Sequence, residues 1–385
     1  MPTKANRLNS VQEYYFSKKL REVRQLKAEG KPIINIGIGS PDLDPPITVS
    51  RAMQNALEQN NIHGYQSYQG LPEFRTSIAD FYNKYYGVEI NPENEILPLM
   101  GSKEGIMHIS MAFLNAGDQV LIPNPGYPTY TSVTNLLEAE PVYYDLNDDT
   151  NWYPDTAELE KHDLSKVKLM WVNYPHMPTG KNPTKKLYED LVAFAEKHGI
   201  LLINDNPYSF VLNDNPLSIL SVKGAKKVAL ELNSLSKTFN MAGWRVGMLL
   251  GSAENITTVL QVKSNMDSGM FYGIQQGAIA ALQSDQSWFA NLNLIYEKRR
   301  NVAWQIADAL GCTYDKNASG LFVWAKLPIG LTAEQTADDL LYTYDVFLAP
   351  GTIFGSNGEG YIRLSLCVSE EILTQVLQRI LTKSV

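Results

Sequence analysis

The sequence predicts an α/β protein. It should have a large domain with a mostly parallel sheet covered by helices on both faces, and a smaller α+β domain. Three observations lead there. Between about residues 48 and 285, short apolar runs alternate with helical patterns. Those runs are close to continuously apolar, as in strands buried on both faces of a parallel sheet. The chain, at 385 residues, is too long for one small core.

The elements follow in order. Apolar spacing predicts a first helix from about Val11 to Ala28, stopped by Gly30. The segment KPIINIGIGSPDLDPP reads as a short strand entering a Gly/Pro-rich loop. Five β-rich runs bounded by turn residues come next: DQVLIPNP (118–125), KLMWVNYP (168–175), GILLINDNPY (199–208), KKVALELNSLSK (226–237) and WRVGMLLG (244–251). Between two of them, Leu187, Leu191, Phe194 and Ala195 fall on one helical face, with Pro183 before the helix and Gly199 closing it. The last hundred residues differ. A long helix is expected over about 287–310, then strands FVWAKLP, DVFLAPG and YIRLSLC. A final helix follows, capped by Ser369, with Ile372, Val376 and Ile380 on one face. The large domain is set at 48–285. The small one is set at 286–385 together with the N-terminal segment 1–47.

Composition narrows the function. Lys plus Arg is 33 and Asp plus Glu is 41, a net charge of −8 that argues against a nucleic-acid surface. Two cysteines, Cys312 and Cys367, make neither a disulfide scaffold nor a Cys-rich metal site. The five histidines show no metal-ligand spacing, so no metal is expected. No apolar run reaches a membrane span and no signal core opens the chain, so a soluble cytoplasmic protein is expected.

In a doubly covered sheet the ligand lies beyond the carboxyl ends of the strands, so chemistry is sought just after each run. GILLIND ends in Asp205, with Tyr208 three residues on; Asp-Asn-Pro is also good turn chemistry. After KKVALEL stands Lys237, followed by small and apolar residues with no further charge until Arg245. That setting suits a buried anion site and a desolvated amine able to act as nucleophile or base. Gly101-Ser102-Lys103 opens a helix, which suits a phosphate, or Ser102 is a plain helix cap. No Walker loop is present. In YIRLSLC, strand alternation sets Arg363 apart from the apolar face, as a surface charge or as a carboxylate clamp.

These fragments, in this order, resemble the fold-type I pyridoxal-phosphate aminotransferases of class I/II. The resemblance runs from Gly39 to Arg363 and rests on IGIGSPDLDPP, YQSYQGLPEFRTSIADFY, GSKEGI, PNPGYPTY, YPHMPTG, NDNPY, SLSKTFNMAGWRVG and YIRLS. It implies a ping-pong transfer of an amino group from an L-amino acid to a 2-oxo acid, with pyridoxal 5'-phosphate as cofactor. By resemblance, Lys237 holds the cofactor as a Schiff base and shuttles the substrate proton. Asp205 faces the pyridine nitrogen, Tyr208 bonds the ring oxygen and Tyr127 stacks on the ring. Ser102, Lys103, Ser234, Ser236 and Arg245 hold the phosphate. Tyr65 resembles a tyrosine that reaches the phosphate of a second subunit, which implies a homodimer with shared sites. Arg363 resembles the clamp on the substrate α-carboxylate, and Gly39 the loop glycine lying against the substrate.

One position departs from the family. YPHMPTG carries Met177 where the family has Asn, and a thioether donates no hydrogen bond. The pKa of the lysine–cofactor linkage is then expected to rise, with His176, Asn173 or a water as substitute donors. Other outcomes of the same chemistry stay open: a β-eliminating C–S lyase, or a ring-closing synthase. A regulator with a DNA-binding domain in front is disfavoured because the first motif begins near residue 33. A dead relative is disfavoured because Lys237, Asp205 and Arg363 are all present. For the substrate side chain, Tyr14, Tyr15 and Phe16 either line the pocket or dock the first helix. Trp171 and Trp244 are read as core. The sequence shows no second arginine for a distal carboxylate, which favours a neutral, aromatic or methionine-like donor, with aspartate, alanine and diaminopimelate open.

Overall fold

The computed structural model describes residues 3–9 and 15–383. A helix, α1, spans Tyr15–Ala28, and the strand Ile34–Asn35 (β1) follows. The expected start of that helix at Val11, and Tyr14, lie outside the described residues.

Seven strands form the main sheet: β2 (Ile96–Leu99), β3 (Gln119–Asn124), β4 (Glu140–Asp145), β5 (Val167–Val172), β6 (Leu201–Asp205), β7 (Ala229–Ser234) and β8 (Gly247–Leu250). Their order is β2-β8-β7-β6-β5-β3-β4. The pairs β3–β4, β3–β5, β5–β6 and β6–β7 are parallel; β8 runs antiparallel to both β7 and β2. The mostly parallel sheet is therefore present.

Successive side chains of one strand feed two different cores, which is what makes its apolar run continuous. Val120, Ile122, Leu169, Trp171 and Ile203 pack on one face with Ile106, Ile109 and Val133 of the helices Ser102–Phe113 and Thr129–Leu136. Leu121, Met170 and Leu202 pack on the other with Ile78, Tyr82 and Leu191 of the helices Pro72–Tyr86 and Lys185–His198. Each such buried side chain contributes about 1.5–3 kcal/mol. The helix Lys185–His198 is bounded as its residues dictate. The Thr184 side chain accepts from the Leu187 amide, and Gly199 ends it at φ 66, a conformation glycine enters without strain.

The strands β2 and β4 were not among the expected runs. Both are edges. The strand β4 buries little of its length, and the Pro in each (Pro98, Pro141) weakens the apolar pattern. Observed strands are also shorter than the runs. Lys226–Val228, for instance, belong to a short helix before β7.

The C-terminal part holds a four-stranded antiparallel sheet in the order β12-β13-β10-β9, from Thr313–Tyr314 (β9), Phe322–Lys326 (β10), Ala349–Pro350 (β12) and Tyr361–Ser365 (β13). The strand Val346–Phe347 (β11) pairs in parallel with β1. The long helix Gln286–Ala309 is capped by Asp285, and the last helix, Glu370–Lys383, starts at Ser369, whose hydroxyl accepts from the Ile372 amide. In that helix Val376 and Ile380 are buried, together with Leu373 rather than Ile372.

Candidate active site

The carboxyl ends of β3, β5, β6 and β7 open onto a cavity of about 780 Å³. Asp205, Tyr208, Tyr127, Ser102, Lys103, Ser234, Ser236, Lys237, Arg245, Arg363, Gly39 and Tyr15 all line it. Tyr65 does not: it is 93% exposed and away from this chain's cavity.

Asp205 closes β6 and is buried. Its Oδ2 accepts from the Tyr130 hydroxyl at 2.9 Å, while Oδ1 is buried without a partner. Burial drives its carboxyl up to about 7, against a smaller lowering by the Tyr130 bond. A buried carboxylate with one free oxygen is completed by a cationic N–H. Tyr130 was quoted in the sequence without a role. Its ring stacks on Trp171 at 4.8 Å, so the core fixes the donor that holds Asp205. Trp171 is core, as expected, whereas Trp244 is only partly buried and packs against the core on the other face of the sheet.

Lys237 sits one turn after β7 in the short helix Leu235–Thr238, and its Nζ donates to the Gly39 carbonyl at 2.6 Å. Burial lowers its pKa, and Arg363 and Arg245 lower it further. The amine is thus biased toward its neutral, nucleophilic form. Gly39 is a close-approach glycine: a Cβ there would lie 2.4 Å from Phe322 Cζ. Its loop is fastened to β13, where Ser365 Oγ donates to the Ile38 carbonyl at 2.7 Å. Arg299 on the long helix clamps Asp42 through both nitrogens at 2.6 and 2.9 Å.

The anion cradle combines three elements. Gly101 is the helix cap at φ +95, so Ser102 is the first helical residue and its side chain is free of capping duty, contrary to the plain-cap alternative. A Cβ on Gly101 would lie 2.2 Å from Arg245 Nη2, so glycine is what admits the guanidinium over the helix start. Ser234 Oγ bonds Ser236 Oγ at 2.8 Å and accepts from the Ser236 amide. Lys103 is exposed at the rim.

Arg363 corrects the surface-charge alternative. It is buried, its guanidinium lies 3.9 Å from the Phe322 ring centroid and 4.6 Å from that of Phe354, and Nη2 donates to the Gly37 carbonyl at 2.8 Å. Its Nε is unpartnered, and burial lowers its pKa to about 10, so it stays charged at neutral pH. Strand alternation failed because β13 is covered on both sides. Tyr208 is buried with its pKa raised by burial, and so remains a neutral hydroxyl donor. Tyr127 meets Tyr130 edge-on at 5.6 Å, which leaves a face of its ring for stacking.

Met177 lines the cavity with Sδ 3.6 Å from Arg363 Nη1. The substitute donors are constrained. His176 does not line the cavity; it is buried against Thr179, with its pKa lowered to about 3 by burial. Asn173 does line it, but its amide donates to the Asp205 carbonyl and its oxygen accepts from the Met177 amide. One more residue was missed. Arg24 of α1, given no role in the sequence reading, also lines the cavity. Elsewhere, Glu104, His108 and Asp267 gather three potential metal-ligand atoms. The buried Lys263 ammonium, 2.9 Å from Asp267 Oδ2, already supplies the positive charge such a group would draw.

A covered, mostly parallel sheet with an amine, a half-paired buried carboxylate and an anion cradle at its strand ends suits a ligand that carries both a phosphate and a positive charge. Residues 31–380 match the family described as aminotransferase class I and II, and the chain belongs to that family. It is 36% identical over 378 residues to an LL-diaminopimelate aminotransferase of Halothermothrix orenii, covering 98% of this chain and 97% of the relative. One from Dehalococcoides mccartyi is 38% identical over 378 residues, with the same coverage. Among solved structures, substrate-bound BacF from Bacillus subtilis superposes with a TM-score of 0.95 at 35% identity, covering 100% of this chain and 98% of that one. A Thermus thermophilus aspartate aminotransferase mutant does so with a TM-score of 0.91 at 26% identity, covering 98% and 99%. The chain is an aminotransferase, moving an amino group between an amino acid and a 2-oxo acid. Enzymes of this family and fold use pyridoxal 5'-phosphate.

Proposed function

We propose that this chain transaminates by a ping-pong route with pyridoxal 5'-phosphate held in the cavity. The observation that carries the reading is the meeting of three groups there: the neutral-biased amine of Lys237, the half-paired carboxylate of Asp205 and the buried guanidinium of Arg363. The bound cofactor supplies an electron sink for the substrate Cα carbanion. The chain does the rest. Asp205 holds the ring nitrogen protonated, and Tyr208 donates to the ring oxygen. Tyr127 packs against the ring. Ser102, Ser234, Ser236, Arg245 and the backbone N–H groups of Ser102 and Lys103 hold the phosphate. Arg363 would fix the α-carboxylate so that the Cα proton faces Lys237, whose freed amine would take up that proton and hold it for return to the product.

The large unit, 48–285, carries the cofactor contacts, and 1–47 with 286–385 forms a small unit bearing Gly39 and Arg363. Two copies form a homodimer with shared sites, in which the exposed Tyr65 reaches the phosphate of the second copy. The cytoplasm is its compartment, in keeping with two free, buried cysteines and no described helix long and apolar enough to cross a membrane. The name of the relatives makes LL-diaminopimelate the first donor to try.

The test is the absorption spectrum of the purified protein with pyridoxal phosphate. A visible band should bleach with one amino acid and return with a 2-oxo acid, and Lys237→Ala should lose multiple turnover. Release of pyruvate and ammonia, with no change of the band that an oxo acid reverses, would move the assignment to a lyase.

A further inference from the structure

The strand β3 ends on Asn124, a buried amide that does not itself line the cavity. A buried amide needs partners for its donors and its acceptor. Here most of them come from far along the chain. Nδ2 donates to Ser356 Oγ at 2.8 Å, and to Asp145 Oδ1 at the end of β4 at 3.2 Å. Oδ1 accepts from the Asn357 amide at 3.1 Å. The Asn357 side chain reaches back, donating to the Asn124 carbonyl at 3.3 Å and to Asp145 Oδ1 at 2.8 Å. A Cβ on Gly355 would lie 2.2 Å from Asn124 Oδ1, so glycine is what lets the two segments approach. Beside this joint the Gly126 amide donates to the Phe354 carbonyl at 2.7 Å.

These bonds fasten the loop Gly351–Gly358 to the carboxyl ends of β3 and β4. The same loop sends Thr352, Ile353 and Phe354 into the cavity wall, and the Phe354 ring centroid lies 4.6 Å from the Arg363 guanidinium. The strand β13 sets the backbone of Arg363, but this loop sets one of the two rings that flank its guanidinium. A second joint ties the same edge of the main sheet to the C-terminal sheet. Asp148 Oδ2 accepts from Lys326 Nζ and from the Tyr361 hydroxyl, each at 2.7 Å. That joint differs in two ways. Asp148 and Lys326 are exposed, where ion pairs contribute little, and the residues it grips belong to β10 and β13 rather than to the loop.

We propose that Asn124 is a positioning residue for the substrate: it seats the loop Gly351–Gly358 so that Phe354 closes over Arg363 and holds the guanidinium in place for the α-carboxylate. The proposal deepens the transaminase reading and rests on it for the role of Arg363. With the loop unseated, Arg363 loses one wall of its slot, and apparent affinity for a carboxylate falls with the fraction of molecules still seated.

The test uses holoenzyme of wild type, Asn124→Ala, Asn357→Ala, the double variant and Asp148→Asn, with the amino donor that bleaches the visible band. In each single alanine variant KM for that donor should rise about 3- to 30-fold, the range for losing one or two net hydrogen bonds, while kcat holds within about twofold. Both side chains act through one joint, so the rise in the double variant should fall short of the product of the two. Exchanging the pair, Asn124→Asp/Asp145→Asn, again sets a donor against an acceptor and should recover most of what Asn124→Asp alone loses. Asp148→Asn should leave KM within about twofold, and pyridoxal phosphate should bind all variants within about threefold of wild type in an absorbance titration. If Asn124→Ala fails to fold, Asn357→Ala carries the comparison from the loop side. An unchanged KM in the alanine variants, a loss confined to kcat, or an equal rise in Asp148→Asn would overturn the proposal. Calorimetric binding of the unreactive acid 3-phenylpropanoate should weaken in the same ratio as KM. If the wild type turned over no substrate, the transaminase reading would fail, and 3-phenylpropanoate binding would still decide whether Asn124 seats the clamp.

Discussion

Asp205→Asn in the cofactor-free protein tests the electrostatics of the site directly. The Asp205 carboxyl is pushed by burial from 3.8 to about 7, with one oxygen held by Tyr130 and the other unpartnered. In the unfolded chain it titrates near its ordinary value. Between those two pKa values the native state binds the extra proton, so the wild-type protein loses stability as pH rises from about 4 to about 7, and levels off above. The full span corresponds to about 4 kcal/mol at about 1.4 kcal/mol per pH unit. Unfolding entropy of about 2.1 cal/mol/K per residue gives about 0.8 kcal/mol/K for a chain this long, so the change is about 5 °C in Tm. Asparagine keeps an acceptor for Tyr130 and removes the charge. The Tm of apo Asp205→Asn should therefore gain on wild type as pH rises, by up to about 5 °C at pH 8 relative to pH 4–5. Thermal scans of both proteins over that range read the difference. A gap that does not change with pH would refute the picture of a half-paired carboxylate awaiting a cation. Adding pyridoxal phosphate should close the gap at pH 8, because the ring nitrogen then supplies the missing partner to wild type alone.

Three further perturbations address single contacts. Arg363→Lys gives up the planar fork and the stack between Phe322 and Phe354, so kcat/KM for every amino acid should fall about 100-fold, measured by steady-state kinetics. Gly101→Ala forces a strained φ and a Cβ into the Arg245 guanidinium, and should weaken pyridoxal phosphate binding about 10- to 100-fold in an absorbance titration, with little effect on the KM of the amino acid. Met177→Asn introduces an amide donor where a thioether now touches Arg363, and should lower the pKa of the visible absorption band by about one pH unit, read by spectral titration.

Much of this was legible in the sequence because strands buried on both faces write themselves as unbroken apolar runs. The residue after such a run lies at the strand's carboxyl end, where Asp205, Ser234 and Lys237 were sought and where the cavity opens. What was illegible depends on contacts between distant segments. Arg363 read as free of the apolar face, because nothing local reveals that Phe322 and Phe354 close over it. Tyr130 looked like one more aromatic in a turn; its hydroxyl bond to Asp205 crosses 75 positions. Nothing local places Arg24 at the cavity wall, because its position comes from how α1 docks on Phe347 and Leu341, more than 300 positions away. The edge strand β4 escaped because an edge need not be apolar on both faces, and β2 because its buried apolar run is only four residues long and holds Pro98.

The site is split along the chain, and synthesis meets its two parts at different times. Asp205, Ser234, Lys237 and Arg245 all precede Leu250, the end of the seven-stranded sheet, whereas Arg363 follows 113 positions later. At about 5–20 residues per second, a ribosome needs about 6–20 s to cover that stretch. For that interval the nascent chain has every residue of the proposed phosphate cradle and its reactive amine but no α-carboxylate clamp, and the Gly37 carbonyl that Arg363 will bond waits without its donor. A cofactor captured in that window would meet an amine open to solvent and unable to orient an amino acid. The order of synthesis thereby places the residues of the proposed cofactor cradle ahead of the proposed substrate clamp.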